Sequence, residues 1–415
     1  MSFSSVVVVG LGYIGLPTAA ILASNDVKVL GVDVNPNTVE AVNRGDVPFV
    51  EPDLATYVAG SVTQGTLRAA SAPEPADAYI VAVPTPFKAN HEPDLTYIES
   101  AAKALAPHLH GGELIILEST SPPGATARMA AWILEVRPDL SLDGADGRPL
   151  IHVAHCPERV LPGRVMIELV TNDRIVGGLS AEAAERAREL YSIFCQGEIL
   201  LTDAVTAEMA KLVENSFRDV NIAFANELSL IADKLGINVW ELIRLANHHP
   251  RVNILQPGPG VGGHCIAVDP WFIIDAAPEN SRLIRTAREV NDAKPGWVID
   301  KVDAALEGIE RPSIAALGLA FKPDIDDLRE SPARTIVGEL ADRFPDGQVL
   351  VVEPHVDRLP SELANRRNVT LESLEDAVKA ADVVVLLVDH AAFKEADPTT
   401  WGVTPRAIVD TRGIW

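Results

Sequence analysis

A run of four valines at residues 6–9 ends in Gly10-Leu11-Gly12-Tyr13-Ile14-Gly15, and no other segment restricts the possible folds as much. A continuous β-branched run reads as a strand covered on both faces, as in parallel sheets. The glycines behind it allow a tight turn and a close approach of strand to helix, because none carries a Cβ to obstruct them. Strand, turn and helix in this order commit the segment to a βαβ unit. A second run, Val27-Lys28-Val29-Leu30-Gly31-Val32, follows where such a unit needs it. Short β-branched runs recur at residues 79–83, 114–117 and 151–154, with helical stretches between them. That rhythm predicts a parallel sheet covered by helices.

The same turn has a chemical reading. A helix that starts beside glycines presents backbone N–H groups and the positive end of its dipole, which together favour phosphate. Asp33 closes the second strand, where a carboxylate accepts hydrogen bonds from a ribose diol and repels a 2′-phosphate. Gly10, Gly12, Gly15 and Asp33 therefore predict a dinucleotide site that prefers NAD to NADP.

After Cys195 the texture changes. From residue 204 to 235, Met209, Leu212, Val213, Phe217, Val220, Phe224, Leu228 and Ile231 recur at helical spacing, and Gly236 offers a C-terminal stop. At 1.5 Å per residue this helix is roughly 50 Å long, which suits a central spine and a subunit interface. A second α/β segment begins near Arg311, with strands expected at residues 314–319, 349–352, 383–388 and 407–409. The expected fold is α/β: two Rossmann-like, doubly wound domains joined by a long central helix and a helical middle region. The divisions are an NAD-binding domain at 1–200, a central helical region with the cysteine loop at 201–305, and a nucleotide-sugar domain at 306–415. Sites of this architecture gather at the carboxyl ends of strands and in clefts between domains.

Composition narrows the partners. A net charge of -23 over 415 residues argues against nucleic acid or an anionic membrane, since either needs a basic field. An anionic small molecule needs only local cations or helix N-termini. Cys156, Cys195 and Cys265 have no paired spacing, which gives no disulfide framework and points to a reducing compartment. No apolar run reaches the roughly 18 residues of a membrane helix. No basic leader precedes the first strand, and the expectation is a soluble, cytoplasmic protein.

Candidate chemistry centres on Gly258-Pro259-Gly260-Val261-Gly262-Gly263-His264-Cys265, a thiol in backbone too rich in glycine for a helix or central strand. The thiolate is the reactive form, and a free thiol has a pKa of about 8.5, so a working Cys265 needs cations or donors nearby. A small buried hydrophobe is the other usual fate of a free cysteine. On this segment alone both are open.

Lys211 and Asn215 stand four residues apart on the expected long helix, hence on one face. A lysine there can exchange a proton with a hydroxyl while an amide bonds the oxygen as it becomes carbonyl-like. An exposed lysine on an amphipathic helix is the plain alternative, although its apolar neighbours favour burial of the stem. Glu158 and the stretch Glu118-Ser119-Thr120 each follow a strand, where sites gather and where helix caps also occur. Phe321-Lys322-Pro323 leads through Arg329 to Ser331 as N-cap and Pro332 at the first helical position, making Lys322 and Arg329 candidate phosphate ligands. His249 and Arg251 precede the cysteine loop. His152-Val153-Ala154-His155-Cys156 lacks a second ligand pair at metal spacing, so no metal is expected.

Together these segments resemble the UDP-glucose/GDP-mannose dehydrogenase family across essentially the whole chain. The likeness rests on G-x-G-x-x-G with Asp33, Val83-Pro84-Thr85-Pro86, Lys211 with Asn215, Gly263-His264-Cys265 with Asp269, and Phe321-Lys322-Pro323 through Arg329. Within the family, His249-Pro250-Arg251-Val252-Asn253 and Gly262 through Phe272 look like the branch acting on UDP-N-acetyl-D-mannosamine. Branches acting on UDP-glucose usually carry proline at the place of Ala267.

The resemblance implies a four-electron oxidation of a sugar C6 alcohol to a carboxylate by two NAD in succession, for surface polysaccharide. It gives Lys211 and Asn215 the C6 oxygen, Asp269 a proton-accepting water, Cys265 a thiohemiacetal and then a thioester, and Glu158 its hydrolysis, with Thr120 at the reacting centre. It assigns substrate contacts to Arg159, Val160, Lys211, Asn215, Arg218, His249, Arg251, Gly262, Phe321, Lys322 and Arg412. Cofactor contacts fall on Gly10, Gly12, Tyr13, Ile14, Gly15, Asp33, Thr85, Thr120 and Arg329. A homodimer through the central helix is expected. The rival substrates are UDP-N-acetylglucosamine and UDP-glucose. A one-step hydroxyacid dehydrogenase gives the cysteine loop no purpose, and a nucleotide-binding sensor without turnover gives none to the lysine, asparagine and glutamate.

Overall fold

A computed structural model describes residues 3–88, 91–161, 163–263 and 265–415. Met1, Ser2, Ala89, Asn90, Pro162 and His264, the last a member of the cysteine-loop motif, lie outside the described residues. The chain divides into two compact units, Met1–Glu214 with Trp271–Pro278, and Asn215–Pro270 with Glu279–Trp415.

In the first unit the valine run forms β1 (Ser5–Val9). It is followed by β2 (Lys28–Val32), β3 (Leu67–Ala70), β4 (Ala78–Val81), β5 (Leu114–Leu117), β6 (His152–His155), β7 (Arg174–Gly178) and β8 (Ile199–Asp203). They form one sheet in the order β3-β2-β1-β4-β5-β6-β7-β8. The first six strands run parallel; β7 pairs with β6 antiparallel, and β8 runs with β7. Val6 and Val8 join a hydrophobic cluster with the helices Gly15–Ser24 and Ala181–Tyr191. Val7 faces the opposite cluster, with the helices Thr96–Leu105 and Ala125–Val136. Burial of both faces is why the run does not alternate. Chain order reverses at β1, between β2 and β4, and that switch point is where a doubly wound sheet opens its ligand crevice.

The second unit holds β9 (Ser313–Leu317), β10 (Gln348–Val352), β11 (Val369–Leu371), β12 (Val383–Leu386) and β13 (Ala407–Asp410) in a parallel sheet ordered β11-β10-β9-β12-β13. Its first turn repeats that of the first unit. Gly10 and Gly318 have φ of 94° and 96°. The Gly10 amide donates to the Val32 carbonyl at 2.7 Å and the Gly318 amide to the Val352 carbonyl at 2.8 Å. A carboxylate at the end of the second strand then accepts the next amide, Asp33 from Leu11 at 2.9 Å and Glu353 from Leu319 at 2.7 Å.

The expected long helix spans Ala204–Leu235 and stops at Gly236, whose φ is 69°. Its apolar periodicity does not mark a core-facing stripe. Val213, Phe217, Phe224 and Ile231 are exposed, Phe217 to 68%, whereas Glu208, Asn215, Asp219, Asn226 and Ser229 are buried. The buried groups are bonded to specific partners. Asp219 accepts from Arg288 at 2.6 Å and Asn291 at 2.8 Å, and Asn226 donates to Asn291 at 2.8 Å. Lys294 donates to Ser229 at 2.6 Å, and burial pushes its ammonium down to about 7. Buried polar groups are costly unless satisfied, and here hydrogen-bonded polar residues share the helix's inward face with Leu212 and buried alanines.

Candidate active site

The glycine turn divides its labour by position. A Cβ on Gly15 would lie 1.9 Å from the Gly10 carbonyl oxygen, and one on Gly10 would lie 2.5 Å from the Ala82 carbonyl oxygen, so these two let strand and helix close on each other. A Cβ on Gly12 would meet nothing within 4 Å. Gly12 therefore borders open space at the start of a helix whose N-cap, Ile14, makes no side-chain cap and whose first turn holds no acid. A pyrophosphate belongs in such a place. Asp33 is half-buried and accepts from the amides of Leu11 and, at 2.8 Å, Asn35, which orients the carboxylate and leaves it lone pairs for a ribose. The Thr85 hydroxyl oxygen is buried with no hydrogen-bond partner in the chain, as suits a group awaiting one from a ligand. The residues present fit NAD.

Tyr13 packs on Phe49, with ring centroids 5.2 Å apart, and gives its hydroxyl hydrogen to Glu51. Glu51, which sequence reasoning missed, accepts the amides of Gly163 at 2.9 Å and Val165 at 2.8 Å, and so caps the helix Val165–Thr171. Thr120 is half-buried in the loop after β5. Arg329 belongs to the second unit, exposed and paired with Asp327 at 2.7 Å.

Glu158 lies past β6, nearly sealed from water, and accepts the Arg159 amide at 2.6 Å. Its other oxygen is 3.1 Å from Arg174, a buried guanidinium that also lies 3.9 Å from Glu118. Burial, and then the Glu158 charge, push the Glu118 carboxyl up to about 7. Burial pushes the Cys156 thiol up to about 12, so this cysteine is the inert kind. Arg159 pairs with Glu214 at 2.6 Å, and Val160 packs on the first hydrophobic cluster.

Lys211 is half-buried one turn before Asn215 on the long helix. One turn earlier Glu208, another residue missed from sequence, accepts the Gly124 amide at 2.6 Å, the Thr126 amide at 2.7 Å and the Thr126 hydroxyl at 2.6 Å. It caps the helix Ala125–Val136, whose N-cap Gly124 has no side chain, and thereby ties the Lys211 turn to the loop carrying Thr120.

In the second unit Asn215 donates to Asp269 at 2.5 Å, and the Asp269 amide donates to the Cys265 carbonyl at 2.8 Å. Asn215, Asp269 and Cys265 thus share one bonded chain, with Cys265 exposed in the turn before the helix Asp269–Ala276. The glycines of the loop are approached by protein groups. A Cβ on Gly258 would lie 2.6 Å from the Arg412 guanidinium, and one on Gly262 would lie 2.5 Å from the Glu330 carbonyl oxygen and 2.9 Å from Phe321. The Gly258 amide donates to Asn226 at 2.9 Å. The structure thereby gathers Gly262, Phe321 and Arg412 around the cysteine loop; Arg412 is itself held by Asp389 at 2.6 Å. Arg218, His249, Arg251 and Lys322 present exposed side chains. Among the described residues one grouping has metal-ligand character, Asp324, His355 and His390. The His390 ring is already committed, with Nδ1 accepting the Asp324 amide at 2.9 Å and Nε2 lying 3.1 Å from Glu353.

Comparison with known proteins covers nearly the whole chain. Residues 4–195 match the NAD binding domain of the UDP-glucose/GDP-mannose dehydrogenase family, 205–293 its central domain and 315–415 its UDP binding domain. The chain is 58% identical, over 100% of its length and 97% of the relative's, to an NDP-N-acetyl-D-galactosaminuronic acid dehydrogenase of Ralstonia nicotianae. It is 57% identical, over 100% of both chains, to a UDP-N-acetyl-D-mannosamine dehydrogenase of Escherichia coli. The solved structure of the UDP-D-ManNAc dehydrogenase of Pyrococcus horikoshii matches with a TM-score of 0.86 at 39% identity, over 99% of this chain and 96% of that one.

Proposed function

The chain belongs to the UDP-glucose/GDP-mannose dehydrogenase family, and from that premise we propose that it oxidises the C6 alcohol of a UDP-N-acetylhexosamine, foremost UDP-N-acetyl-D-mannosamine, to the uronate. It is an NAD-dependent nucleotide-sugar dehydrogenase. The observation that carries the two-step reading is the exposed thiol of Cys265, set on the same bonded chain as Asp269 and Asn215.

NAD would be held at residues 10–15 and would supply the hydride acceptor, one molecule for each of the two oxidations. Lys211 takes the proton of the C6 hydroxyl while a hydride leaves C6, with Asp269 holding a water that carries the proton onward. One N–H of Asn215 is given to Asp269 and the second serves the C6 oxygen. The aldehyde has no hydride to give until a nucleophile makes it tetrahedral. The Cys265 sulfur bonds to C6 as the thiol proton passes to the oxygen; a second hydride then leaves C6 while Lys211 takes the hydroxyl proton, which leaves a thioester. Glu158 removes a proton from water, whose oxygen bonds the acyl carbon as the C–S bond breaks with its electrons on sulfur. Arg159, Val160, Arg218, His249, Arg251, Gly262, Phe321, Lys322 and Arg412 form the nucleotide-sugar site, and Tyr13, Ile14, Thr85, Thr120 and Arg329 complete the cofactor's contacts. On this reading residues 1–200 bind NAD, 201–305 carry the cysteine loop and 306–415 bind the UDP-sugar.

The galacto epimer is the second reading, favoured by the name of the Ralstonia relative. Initial rates with the UDP derivatives of N-acetylmannosamine, N-acetylgalactosamine, N-acetylglucosamine and glucose decide. The expected kcat/KM for the manno sugar exceeds that for glucose by about a hundredfold or more, because an unfilled acetamido site leaves polar groups unpaired. UDP-glucose as the best substrate would contradict the assignment.

A second copy of the chain completes the picture of the long helix. Val213, Phe217, Phe224 and Ile231 form an exposed apolar stripe of a kind that marks an interface, and a two-fold dimer buries it. Phe217→Glu with Phe224→Glu is expected to turn a dimer into a monomer by light scattering; an unchanged mass would place the interface elsewhere. Among the described residues no helix is long and apolar enough to cross a membrane. We take the cytoplasm as its compartment, a reading that its three unpaired cysteines support, with its product serving surface polysaccharide.

A further inference from the structure

The pair β6–β7 is the one antiparallel pairing in the described sheet of the first unit, and it has a chemical consequence. His155 stands opposite Gly177, and extending that register by three residues sets Arg174 opposite Glu158. A parallel β7 would start at the far end of the sheet. The reversal thus delivers a guanidinium to a carboxylate at the carboxyl end of β6, where the candidate chemistry lies.

What it delivers is sealed. Arg174 is 4% exposed, Glu118 1% and Glu158 9%. The guanidinium carbon lies 4.6 Å from the Tyr191 ring centroid and 5.2 Å from that of Phe194. One guanidinium nitrogen is 3.1 Å from Glu158, another 3.6 Å from the Cys156 sulfur, and Nε has no hydrogen-bond partner. Glu118 accepts from Thr18 at 3.2 Å and Tyr191 at 3.1 Å, so it is held from the first helix, from the helix Ala181–Tyr191 and by the charge on β7. Two carboxylates and one cation out of water form a poor stability device, since hydrophobic residues of similar volume often serve as well. Such a cluster behind a reacting carboxylate is the arrangement by which protonation state is set.

We infer that Arg174 is a positioning residue for Glu158, fixing its carboxylate for the water-activating step, with Glu118 as the second carboxylate facing the same guanidinium. This rests on the role given to Glu158 above. The groups facing Glu118 are Thr18, Tyr191, Arg174, Cys156 and Glu158. The Glu118 proton leaves as pH rises through about 7, which adds a second anion facing Arg174. In the parent, kcat therefore bends near that pH, and Glu118→Gln, neutral throughout, removes the bend.

The test compares Arg174→Lys, Glu118→Gln and Glu158→Gln in the full-length enzyme, with NAD and UDP-N-acetyl-D-mannosamine in a rapid-mixing instrument. Arg174→Lys keeps the charge and loses the fork. It is expected to keep the NADH burst and a KM within about threefold of the parent, while kcat falls by about 10- to 100-fold and an acyl adduct accumulates by intact-protein mass. Glu158→Gln should behave alike. Parent kcat in Arg174→Lys beside a slow Glu158→Gln would overturn the positioning role alone, as would loss of burst and kcat in equal measure with a lowered Tm. An unmoved bend in Glu118→Gln would overturn the part given to Glu118. Parent kcat in Glu158→Gln would remove the role of Glu158 itself, and the inference with it.

Discussion

Replacement of Cys265 by serine is expected to lower sustained uronate formation by about a thousandfold or more, the scale on which loss of a covalent nucleophile acts, while NAD still binds. The physical reason lies in the second hydride. An aldehyde at C6 cannot donate it until the carbon becomes tetrahedral, and a serine hydroxyl is a far weaker nucleophile than a thiol at neutral pH. On the proposed mechanism, hydride transfer from the alcohol needs only the cofactor site, Lys211 and Asn215, none of which the substitution replaces. The variant is therefore expected to release about one NADH per sugar on the time scale at which the parent releases its full yield. Isothermal titration with NAD separates loss of chemistry from loss of fold. Uronate formation at the parent rate would rule out covalent capture.

The glycine turn offers the second large effect, and it depends on which glycine is changed. Gly15→Ala drives a methyl group to 1.9 Å from the Gly10 carbonyl oxygen, a backbone clash that no side-chain rotation relieves. Destabilisation of about 4 kcal/mol or more is expected, with the first unit failing to hold its native melt. Gly12→Ala meets nothing within 4 Å. Its melting temperature should stay within about 2 °C of the parent, while NAD affinity drops by about 10- to 100-fold as the methyl enters the space of the pyrophosphate. Thermal melts and NAD titrations on the two variants give opposite patterns: one loses fold and cofactor together, the other cofactor alone. Equal stability for both would contradict the turn geometry, and unchanged NAD affinity in Gly12→Ala would contradict the site.

Much of this architecture is legible in the amino-acid sequence. Four valines into a glycine turn define β1 and the helix behind it, because burial on both faces leaves a continuous apolar run. The bounds Ala204–Leu235 follow from helical periodicity and a stopping glycine. The direction of β7 is not legible there. Arg174-Ile175-Val176-Gly177-Gly178 is short and glycine-rich, and strand direction is a property of the pairing. Nor is the helix's polarity, since a stripe such as Val213, Phe217, Phe224 and Ile231 has the same spacing whether it faces a core or another protein. The buried Glu208, Asp219, Asn226 and Ser229 stand in the sequence as ordinary polar residues. Their partners Thr126, Arg288, Asn291, Gly258 and Lys294 lie 32 to 82 positions away.

The three cysteines make the same point. Composition treats them alike, whereas the fold seals Cys156 with a raised pKa, leaves Cys195 half-buried against the carbonyls of Asn172 and Gly197, and exposes Cys265. Glycine density identifies the Cys265 loop. Its supports, Arg412 at Gly258 and Phe321 at Gly262, come from segments far along the chain, and only tertiary structure brings them there.

The most direct measurement is the number of NADH formed per sugar consumed, counted with limiting UDP-N-acetyl-D-mannosamine and excess NAD. Two NADH per sugar, with uronate as product, is the expected result. One NADH per sugar, with the aldehyde released, would contradict a second oxidation at Cys265.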